Sequence, residues 1–501
     1  MKELVTDLHL HSRFSRAVSQ KMNLTNMFLW GRMKGLNLLS VSDFTHPIWL
    51  REAKAQLAEV NSGIYKLKNE KDLIRELPLA TQKEDLSTYF MLSTEVSSIY
   101  SEGGAVRRIH NLIFAPNLEV VDKINKEFLK RGFNLSSDGR PILGISSVNL
   151  MELLLSIDNK IAIIPCHIWT PWFSLYGSKS GYDRIEDCFG KYAKRIFAVE
   201  TGLSSDPTMN WRINELENRS IVSFSDAHSM QKMGREATIL HKVQKETSNF
   251  KLQTSKIKES DINYDNIMNA LVPGRERVFK IGYTIEFYPE EGKYHYTGHR
   301  NCNIVQTPAE TKKNGTVCPV CGSGLTVGVM HRVEDLANSP EKNYIEKKDE
   351  FGVVWMSAKP LGSKTGETSP EGGRDKNGKR PTGAEPSGRR PSYVNLVPLL
   401  EILSEALGGG VGTQRITSMF EKLLNELGTE HEILLKTPLK EIASLGGERL
   451  AEGIEKVRSR NIHIVPGYDN TYGVVEIWDP NKDSKKENQK KEKATQVPLD
   501  F

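Results

Sequence analysis

Seven short apolar runs in the first half of the chain each carry a histidine or an acidic residue at or near the carboxyl end. Their composition and spacing are typical of parallel strands joined by crossover helices. In a (β/α) barrel the carboxyl ends of the strands converge on one face, where active sites lie. We therefore expect an α/β fold that gathers these polar side chains at one mouth. The runs are LVTDLHLHS, LLSVSDFTH, YFMLSTE, RRIHNLIF, IAIIPCH, IFAVE and IVSFSDAH.

The polar residues of these runs are of the types that bind metal ions. A single histidine or aspartate beside a strand is usually a hydrogen-bonded structural residue. A whole set buried at one mouth without cations would leave many polar groups unpaired, at a cost of several kcal/mol each. We therefore expect a multinuclear centre, in which imidazoles favour zinc, manganese or iron and carboxylates bridge neighbouring ions. The expected ligands are His9, His11, Asp43, His46, Glu95, His110, His167, Glu200, Asp226 and His228.

Such a centre suits phosphoester hydrolysis. One ion activates a water and a second stabilises the departing oxygen, so no nucleophilic serine or cysteine is needed. We expect Glu95, Asp226 and His228 to be catalytic, with Mn²⁺ or Mg²⁺ supporting the reaction and Zn²⁺ also a candidate occupant. Cys166 follows an apolar run and is expected to pack in the core.

The same motifs resemble those of the polymerase-and-histidinol-phosphatase (PHP) superfamily. The likeness rests on DLHLHS, the Asp43/His46 pair, Glu95, His110, His167 and SDAH. It implies a distorted seven-stranded (β/α) barrel over residues 1–235 with a trinuclear metal centre. The second motif of the superfamily usually has adjacent Asp and His, whereas Phe44 and Thr45 intervene here.

A compact Cys/His segment at residues 291–330 predicts a zinc ribbon. His299-x2-Cys302 and Cys318-x2-Cys321 are separated by fifteen residues, a spacing typical of tetrahedral structural zinc. Gly322 allows the tight turn that directs two sulfurs at one ion. Four protein ligands leave no open position, so we assign this zinc to folding; the alternatives are free buried cysteines, or His295 as the ligand in place of His299.

Beyond the ribbon, residues 331–360 and 392–478 predict a small, mostly helical domain that binds DNA or the lesion, and residues 236–290 a connector. TPLKEIASLGGERLAEGIEKVRSRN resembles a helix-hairpin-helix, whose glycine turn offers backbone N–H groups to a phosphate. Ordinary helix C-caps explain both this turn and GGGVGTQRI equally well. The candidate DNA contacts here are Arg415, Gly446, Gly447 and Arg449.

Two segments have the composition of mobile chain. Residues 361–391 hold seven glycines and four prolines and predict a flexible loop. Residues 479–501 form a lysine-rich tail that ends in QVPLDF. This hexapeptide resembles the Q-x-x-L-x-F motif that bacterial proteins insert into the DNA sliding clamp, with Gln496, Leu499 and Phe501 as anchors.

Three features together resemble the endonuclease Q family of DNA-repair nucleases. They are the PHP motifs, TIEFYPEEGKYHYTGHRNC leading into CPVCG, and PGYDNTYG near the end. The resemblance implies cleavage 5′ to a deaminated base (uracil, hypoxanthine or xanthine) or an abasic site, in double-stranded or single-stranded DNA. Trp169, Trp172 and Phe173 are candidate stacking residues, with packing in a loop as the alternative. A PHP phosphatase for small phosphomonoesters and a clamp-tethered DNA-binding scaffold are the competing functions.

Composition narrows the remaining classes of protein. The chain has 501 residues with 68 basic and 63 acidic side chains, and a net charge of +5 excludes a polycation or an acidic disordered protein. Five cysteines are too few for a disulfide scaffold. No apolar run approaches the ~18 residues of a membrane span. We therefore expect a cytoplasmic, nucleoid-associated protein with no membrane partner.

Overall fold

The structure, a computed structural model, describes residues 1–83, 86–243, 256–276, 278–340, 344–359 and 390–480. The predicted flexible loop at 361–391 lies almost wholly outside these residues. The predicted clamp anchors Gln496, Leu499 and Phe501 also lie outside them. No helix in the part of the chain that the structure describes is long and apolar enough to cross a membrane.

The first half alternates strands and helices, and each of the seven apolar runs contains a strand. The helices are α1 (Leu24–Lys34), α2 (Pro47–Gln56), α3 (Glu70–Ile74), α4 (Leu118–Lys130), α5 (Ser147–Ile157), α6 (Ile185–Phe189) and α7 (Pro207–Asn210). The strands are β1 (Glu3–Asp7), β2 (Leu38–Ser40), β3 (Leu57–Asn61), β4 (Ile64–Leu67), β5 (Tyr89–Met91), β6 (Ser93–Glu102), β7 (Ala105–Phe114), β8 (Ile142–Leu143), β9 (Ala162–Pro165), β10 (Ala198–Glu200), β11 (Ser220–Val222) and β12 (Ala237–Lys242).

The second half is mostly helical after short strands. Its strands are β13 (Phe279–Glu286), β14 (Thr297–His299), β15 (Ile304–Gln306), β16 (Tyr344–Lys348), β17 (Val354–Ala358), β18 (Ser392–Asn395), β19 (His463–Val465) and β20 (Val474–Glu476). Its helices are α8 (Tyr264–Ala270), α9 (Pro308–Asn314), α10 (Val329–Leu336), α11 (Leu399–Leu407), α12 (Gln414–Leu427), α13 (Glu430–Leu435), α14 (Leu439–Gly446) and α15 (Glu448–Arg458).

A ten-stranded mixed sheet joins the two halves, in the order β16-β17-β18-β13-β12-β1-β2-β5-β4-β3. The segment 236–290, predicted to be a connector, instead supplies two of its central strands. β12 pairs antiparallel with β1, and β13 pairs antiparallel with β12 and parallel with β18. The two halves therefore share one sheet rather than meeting through a linker.

The seven strands expected in a barrel are divided among three sheets. β1, β2 and β5 belong to the large sheet, β7 and β9 to the sheet β8-β6-β7-β9, and β10 and β11 pair with each other. β1 already pairs with β12 on one edge and β2 on the other, so it cannot form a ladder with β11. Single backbone hydrogen bonds link the sheets at the strand ends, from Ala115 N–H to Leu92 O (3.1 Å), from Ile168 N–H to Glu200 O (3.3 Å) and from His11 N–H to Ala227 O (3.3 Å).

The carboxyl-terminal helices pack directly on the first half. In α12 the residues Ile416, Phe420, Leu423 and Leu424 recur at helical spacing and are buried, which gives the helix one apolar face. Lys34 Nζ lies 2.8 Å from Glu430 Oε2, and both side chains are buried. Removing either partner would leave an uncompensated buried charge, so this pair ties α1 to α13.

Candidate metal centre

Four of the predicted ligands converge where β1 and β11 end and β6 begins. The ligand atoms of His9, His11, Glu95 and Asp226 all lie within 4.8 Å of one another. The His11 Nε2 atom lies 2.9 Å from Asp226 Oδ1 and 3.3 Å from Glu95 Oε2. The His9 Nε2 atom lies 3.7 Å from each of these carboxylates. The alternation of His9 and His11 along the chain places both rings on the same side, as the sequence predicts.

A second group shares Glu95. His110 Nδ1 lies 2.5 Å and His167 Nε2 lies 3.0 Å from Glu95 Oε1, and the two ring nitrogens are 3.1 Å apart. Burial lowers the pKa of His110 to about 4, so its imidazole is neutral at physiological pH and keeps a lone pair for a metal. Glu95 thus stands between two sets of imidazoles, in the position of a bridging carboxylate.

Asp43 and Glu200 lie behind the imidazoles rather than in the cluster. Asp43 Oδ1 lies 3.2 Å from His11 Nδ1, and Glu200 Oε1 lies 2.9 Å from His9 Nδ1. A carboxylate only accepts, so each Nδ1 donates its proton. Although burial opposes it, the surrounding carboxylates raise the pKa of both His9 and His11 well above its usual range, and a metal ion at Nε2 would displace the second proton. This is the arrangement in which a carboxylate orients a metal-binding histidine. Both residues were predicted as direct ligands. Asp43 belongs to no group of possible metal ligands among the described residues, whereas Glu200 also forms such a group with His9 and Cys166.

The donor set fits metal ions. His9 Nε2, His11 Nε2 and Asp226 Oδ1 are buried, and within the described residues none of the three makes a hydrogen bond of good geometry. Burial alone would raise the pKa of Asp226, but the neighbouring His9 and His11 hold it well below its ordinary value. Buried polar atoms without a hydrogen-bond partner are costly, and cations at the cluster would bind these three atoms.

Left-handed backbone turns direct several of these side chains to one mouth. Asp43, His167 and Asp226 have φ values of 40°, 35° and 46°, which residues other than glycine rarely adopt. Gly202 lies so close to His167 that a Cβ there would come within 2.4 Å of the histidine Cβ. Strained backbone of this kind persists where the surrounding structure enforces it, and it clusters at functional sites.

His46 does not join the cluster, contrary to the prediction. It is the N-cap of α2, where its Nδ1 accepts the Trp49 N–H at 3.5 Å and its ring stacks on Phe14 at 4.4 Å between centroids. The chain turns at Asp43 and begins a helix at Pro47. Phe44 and Thr45, which separate Asp43 from His46, carry His46 away from the other ligands.

His228 stands beside the cluster. Its ring centroid lies 4.9 Å from that of His11, and its Nδ1 lies 2.8 Å from the Asp226 carbonyl oxygen. Because Nδ1 donates to that carbonyl, Nε2 keeps its lone pair. Burial lowers the pKa of His228, so the ring is neutral and able to accept a proton or bind a cation.

A cavity of about 490 Å³ opens beside the cluster. Trp172 and Phe173 line it, as expected of stacking residues, and Tyr294 from the ribbon segment lies 5.6 Å from Trp172 between centroids. Trp169 is fully buried, donates its indole N–H to Asn210 Oδ1 at 2.8 Å and packs in the core. Trp169 therefore takes the packing role that the sequence left open.

Six residues that line this cavity were not predicted from the sequence, and three of them are charged or aromatic: Arg108, Arg140 and Tyr294. Arg140 stands in the loop between α4 and β8, outside any apolar run, and its Nη1 lies 3.1 Å from Glu95 Oε2. Tyr294 precedes the Cys/His pairs of residues 291–330 and belongs to no metal-binding spacing. The basic residues of RRIHNLIF, which include Arg108, were the one available signal.

The predicted ribbon residues also come together. The ligand atoms of His299, Cys302, Cys318 and Cys321 all lie within 4.8 Å of one another. Gly322 has φ 72° and donates its N–H to Cys318 O at 2.9 Å, which is the tight turn expected of the second pair. Although desolvation opposes it, backbone N–H groups of the turn and the His299 ring lower the pKa of Cys318 to about 6.

His295, the alternative ribbon ligand, lies elsewhere. It is buried, and its Nδ1 lies 3.1 Å from the Pro289 carbonyl oxygen. The structure therefore groups His299, not His295, with the three cysteines.

The glycine turn of the resembled helix-hairpin-helix joins two packed helices. α14 ends at Gly446, α15 begins at Glu448, and Gly447 between them has φ 87°. The Arg449 guanidinium lies 3.7 Å from the centre of the Trp478 ring. Arg415 is exposed in the first turn of α12. None of these residues lines the cavity beside the metal cluster.

Comparisons with known proteins match the chain over different lengths. The family described as MJ0043 C-terminal domain matches residues 398–461. Uncharacterized protein MJ0043 of Methanocaldococcus jannaschii is 28% identical over 309 residues, which is 61% of this chain but 31% of that protein. Uncharacterized protein YqxK of Bacillus subtilis is 26% identical over 492 residues, which is 95% of this chain and 100% of that protein.

Two solved structures are similar over nearly the whole chain. The lesion-specific endonuclease PfuEndoQ from Pyrococcus furiosus superposes with a TM-score of 0.69 and 26% identity, over 98% of this chain and 99% of that one. A complex of Endonuclease Q with a 27-mer duplex that carries an abasic lesion at the active site has the same TM-score and identity, over 95% and 97%. The chain is therefore an endonuclease of the endonuclease Q type.

Proposed function

We propose that this endonuclease repairs DNA by hydrolysing the phosphodiester on the 5′ side of a deaminated base (uracil, hypoxanthine or xanthine) or of an abasic site. One observation carries the proposal: buried, unpartnered nitrogens of His9 and His11 and an oxygen of Asp226 meet beside a cavity with aromatic walls. The abasic duplex held by the similar endonuclease supports damaged DNA as the substrate.

The protein's own residues hold and orient the metal centre. His9, His11, Glu95 and Asp226 would hold one ion, and His110 and His167 a second that shares Glu95. When bound, Mn²⁺, Mg²⁺ or Zn²⁺ supplies the activation of the attacking water and neutralises charge on the phosphate. Glu95 and Asp226 set the position of the centre, and neutral His228 at its edge is placed to take up or return a proton.

The aromatic cavity is the proposed site for the lesion. Reading a deaminated base requires flipping it from the stack, which costs a few kcal/mol and least for a mispaired or missing base. Trp172, Phe173 and Tyr294 present the aromatic surfaces that such a pocket needs. Stacking on aromatic side chains is worth about 1–3 kcal/mol per base, which is enough to repay the flip.

The second half supplies stability and further DNA contacts in this proposal. Structural zinc at His299, Cys302, Cys318 and Cys321 would hold the β14–β15 hairpin that follows the cavity residue Tyr294. Residues 331–360 and 392–478 would bind the duplex, and Gln496, Leu499 and Phe501 would bind the sliding clamp. The distorted PHP barrel over residues 1–235 belongs to the same proposal.

Cleavage of defined duplexes tests the function. End-labelled duplexes that contain one uracil, hypoxanthine, xanthine or abasic site are incubated with the protein and Mn²⁺ or Mg²⁺, with the undamaged duplex as control. We expect one nick on the 5′ side of the lesion. Hydrolysis of p-nitrophenyl phosphate without any nick would instead identify a phosphatase, and lesion binding without either activity would identify a scaffold.

A further inference from the structure

Two arginines line the cavity beside the metal cluster, and neither is explained by the metal centre. Arg108 lies on β7 with its guanidinium 5.5 Å from the centre of the Phe173 ring. Within the described residues Arg108 makes no ion pair. Arg140 enters from the loop that precedes β8 and contacts Glu95. Asp226 is the single carboxylate among the residues that line the cavity.

The loop that carries Arg140 is held tightly against the cluster. The Gly139 N–H donates to Phe14 O at 3.0 Å, and the Gly139 carbonyl accepts the Thr45 hydroxyl at 3.3 Å. A Cβ at Gly139 would come within 2.4 Å of Asp43 Oδ2, so only glycine allows this approach. The fold therefore fixes Arg140 at the mouth of the site and leaves it little freedom to move away.

With metal ions in the cluster, Arg140 would need an anionic partner other than Glu95. Its Nη1 lies 3.1 Å from Glu95 Oε2, and Glu95 is also the carboxylate shared by the two groups of imidazoles. Metal ions bound there would compete with Arg140 for Glu95 and repel its positive charge. A phosphate between the guanidinium and the ions removes that repulsion, and guanidinium groups bind phosphate oxygens in pairs.

We propose that Arg140 binds the non-bridging oxygens of the scissile phosphate and that Arg108 binds the phosphate on the 3′ side of the flipped nucleotide. Resting on the proposed function, this assigns the two phosphates that flank the lesion to two different arginines. Arg140 acts as a catalytic residue, because it stabilises the charge that develops on the phosphate under attack. Arg108 positions the nucleotide whose base or sugar enters the aromatic cavity.

A structural role for Arg140 predicts a different outcome. If Arg140 only neutralises Glu95, its loss should change metal content and thermal stability, whichever phosphates the DNA carries. If Arg140 binds the scissile phosphate, the loss of DNA affinity on removing Arg140 should depend on the charge of that one phosphate. A double-mutant cycle between protein and DNA separates the two roles.

The experiment uses abasic duplexes in which one phosphate is replaced by an uncharged methylphosphonate, at either the scissile or the 3′ linkage. Binding of the full-length wild type, Arg140→Ala and Arg108→Ala is measured by fluorescence anisotropy with Ca²⁺ in place of Mn²⁺, and gels check that no nicking occurs. Each change alone should weaken binding by about tenfold to hundredfold, as expected for a charged hydrogen bond. Arg140→Ala should remove the penalty of the scissile methylphosphonate only, and Arg108→Ala that of the 3′ methylphosphonate only.

Arg16→Ala is the matched control. Arg16 Nε lies 3.4 Å from Oδ2 of Asp138, which precedes Arg140 by two residues. Arg16 itself does not line the cavity. Its loss should be additive with both methylphosphonates. Arg140→Gln, which removes the charge but keeps much of the side-chain volume, serves if Arg140→Ala does not fold, and should also remove most of the penalty of the scissile methylphosphonate.

Additive penalties at the scissile position for Arg140→Ala, or for Arg140→Gln in its place, would overturn the assignment of Arg140. If the penalty of the 3′ methylphosphonate simply adds to that of Arg108→Ala, the assignment of Arg108 is overturned. Nicking of the unmodified duplex by the wild type in Mn²⁺ is read separately. Additive cycles alongside normal nicking would refute the two arginine assignments and leave the proposed function standing.

Discussion

The carboxylate behind His11 offers the sharpest test of how the centre is built. Asp43 Oδ1 lies 3.2 Å from His11 Nδ1, while Asp43 Oδ2 accepts the Ser12 N–H at 2.6 Å and the Ser15 hydroxyl at 2.8 Å. Asp43→Asn keeps the shape of the side chain but replaces one acceptor with a donor. Either the new amide faces the Ser12 N–H, or it faces His11 Nδ1 and drives the imidazole proton to Nε2.

Both arrangements have a calculable cost. A proton on His11 Nε2 removes the lone pair that points at Asp226 and Glu95. Loss of an orienting partner behind a metal ligand typically lowers metal affinity or activity by about 10–100-fold, which is about 1.4–2.7 kcal/mol. A buried donor left unpaired at Ser12 would in addition lower the free energy of unfolding by about 1–3 kcal/mol.

The assay is nicking of an abasic duplex as a function of Mn²⁺ concentration. We expect Asp43→Asn to raise the half-saturating Mn²⁺ concentration by about 10–100-fold and to regain most of the wild-type rate at saturation. Asp122→Asn, at an exposed position paired with Lys54, is the charge-matched control and should leave the curve unchanged. An unchanged curve for folded Asp43→Asn would refute the orienting role, and a rate not restored by excess Mn²⁺ would make Asp43 a direct ligand.

Four further outcomes are expected. Asp226→Ala should abolish nicking but leave lesion binding in a gel-shift assay, because it removes a metal ligand; unchanged nicking would exclude Asp226 from the site. Cys318→Ser should lose bound zinc, measured by mass spectrometry, and unfold the carboxyl-terminal half at lower temperature; a full zinc content would contradict the ribbon. Deletion of residues 496–501 should abolish clamp binding in pull-down assays with no effect on nicking of oligonucleotides, and retained binding would reject the motif. Burial holds the pKa of His295 at about 4, and the unfolded chain takes up the proton first, so stability should fall as pH decreases from about 6.5 to about 4. The loss is on the order of 3 kcal/mol, and His295→Gln should show a smaller pH dependence in urea unfolding.

The metal centre shows how far a one-dimensional pattern reaches. Alternation in the segment that follows β1 was enough to place His9 and His11 on one side, because side chains of an extended chain alternate every two residues. The same pattern included Asp43 and Glu200 but could not separate a ligand from the carboxylate that orients one. That distinction depends on which ring nitrogen each carboxylate reaches, which is a matter of ångströms between elements far apart in sequence.

The architecture divides in the same way. Each of the seven apolar runs forms a strand, because a short run of β-branched and aromatic residues bounded by turn residues has few other stable conformations. The apolar runs did not predict which strands pair with each other. β12 and β13, placed in a connector by composition, occupy the middle of the large sheet and take the edge of β1 that a closed barrel would have used.

The residue types and their local spacing alone were sufficient to predict which side chains could bind metal, the turn at Gly322 and the seven strands, because each depends on neighbours only a few positions away. The tertiary structure alone decided that His46 stacks on Phe14 outside the metal cluster, that Trp169 packs in the core, and that Arg108, Arg140 and Tyr294 share one cavity beside that cluster. These contacts join residues that are tens to more than a hundred positions apart, and the packing of sheets and loops sets them, so no local pattern records them.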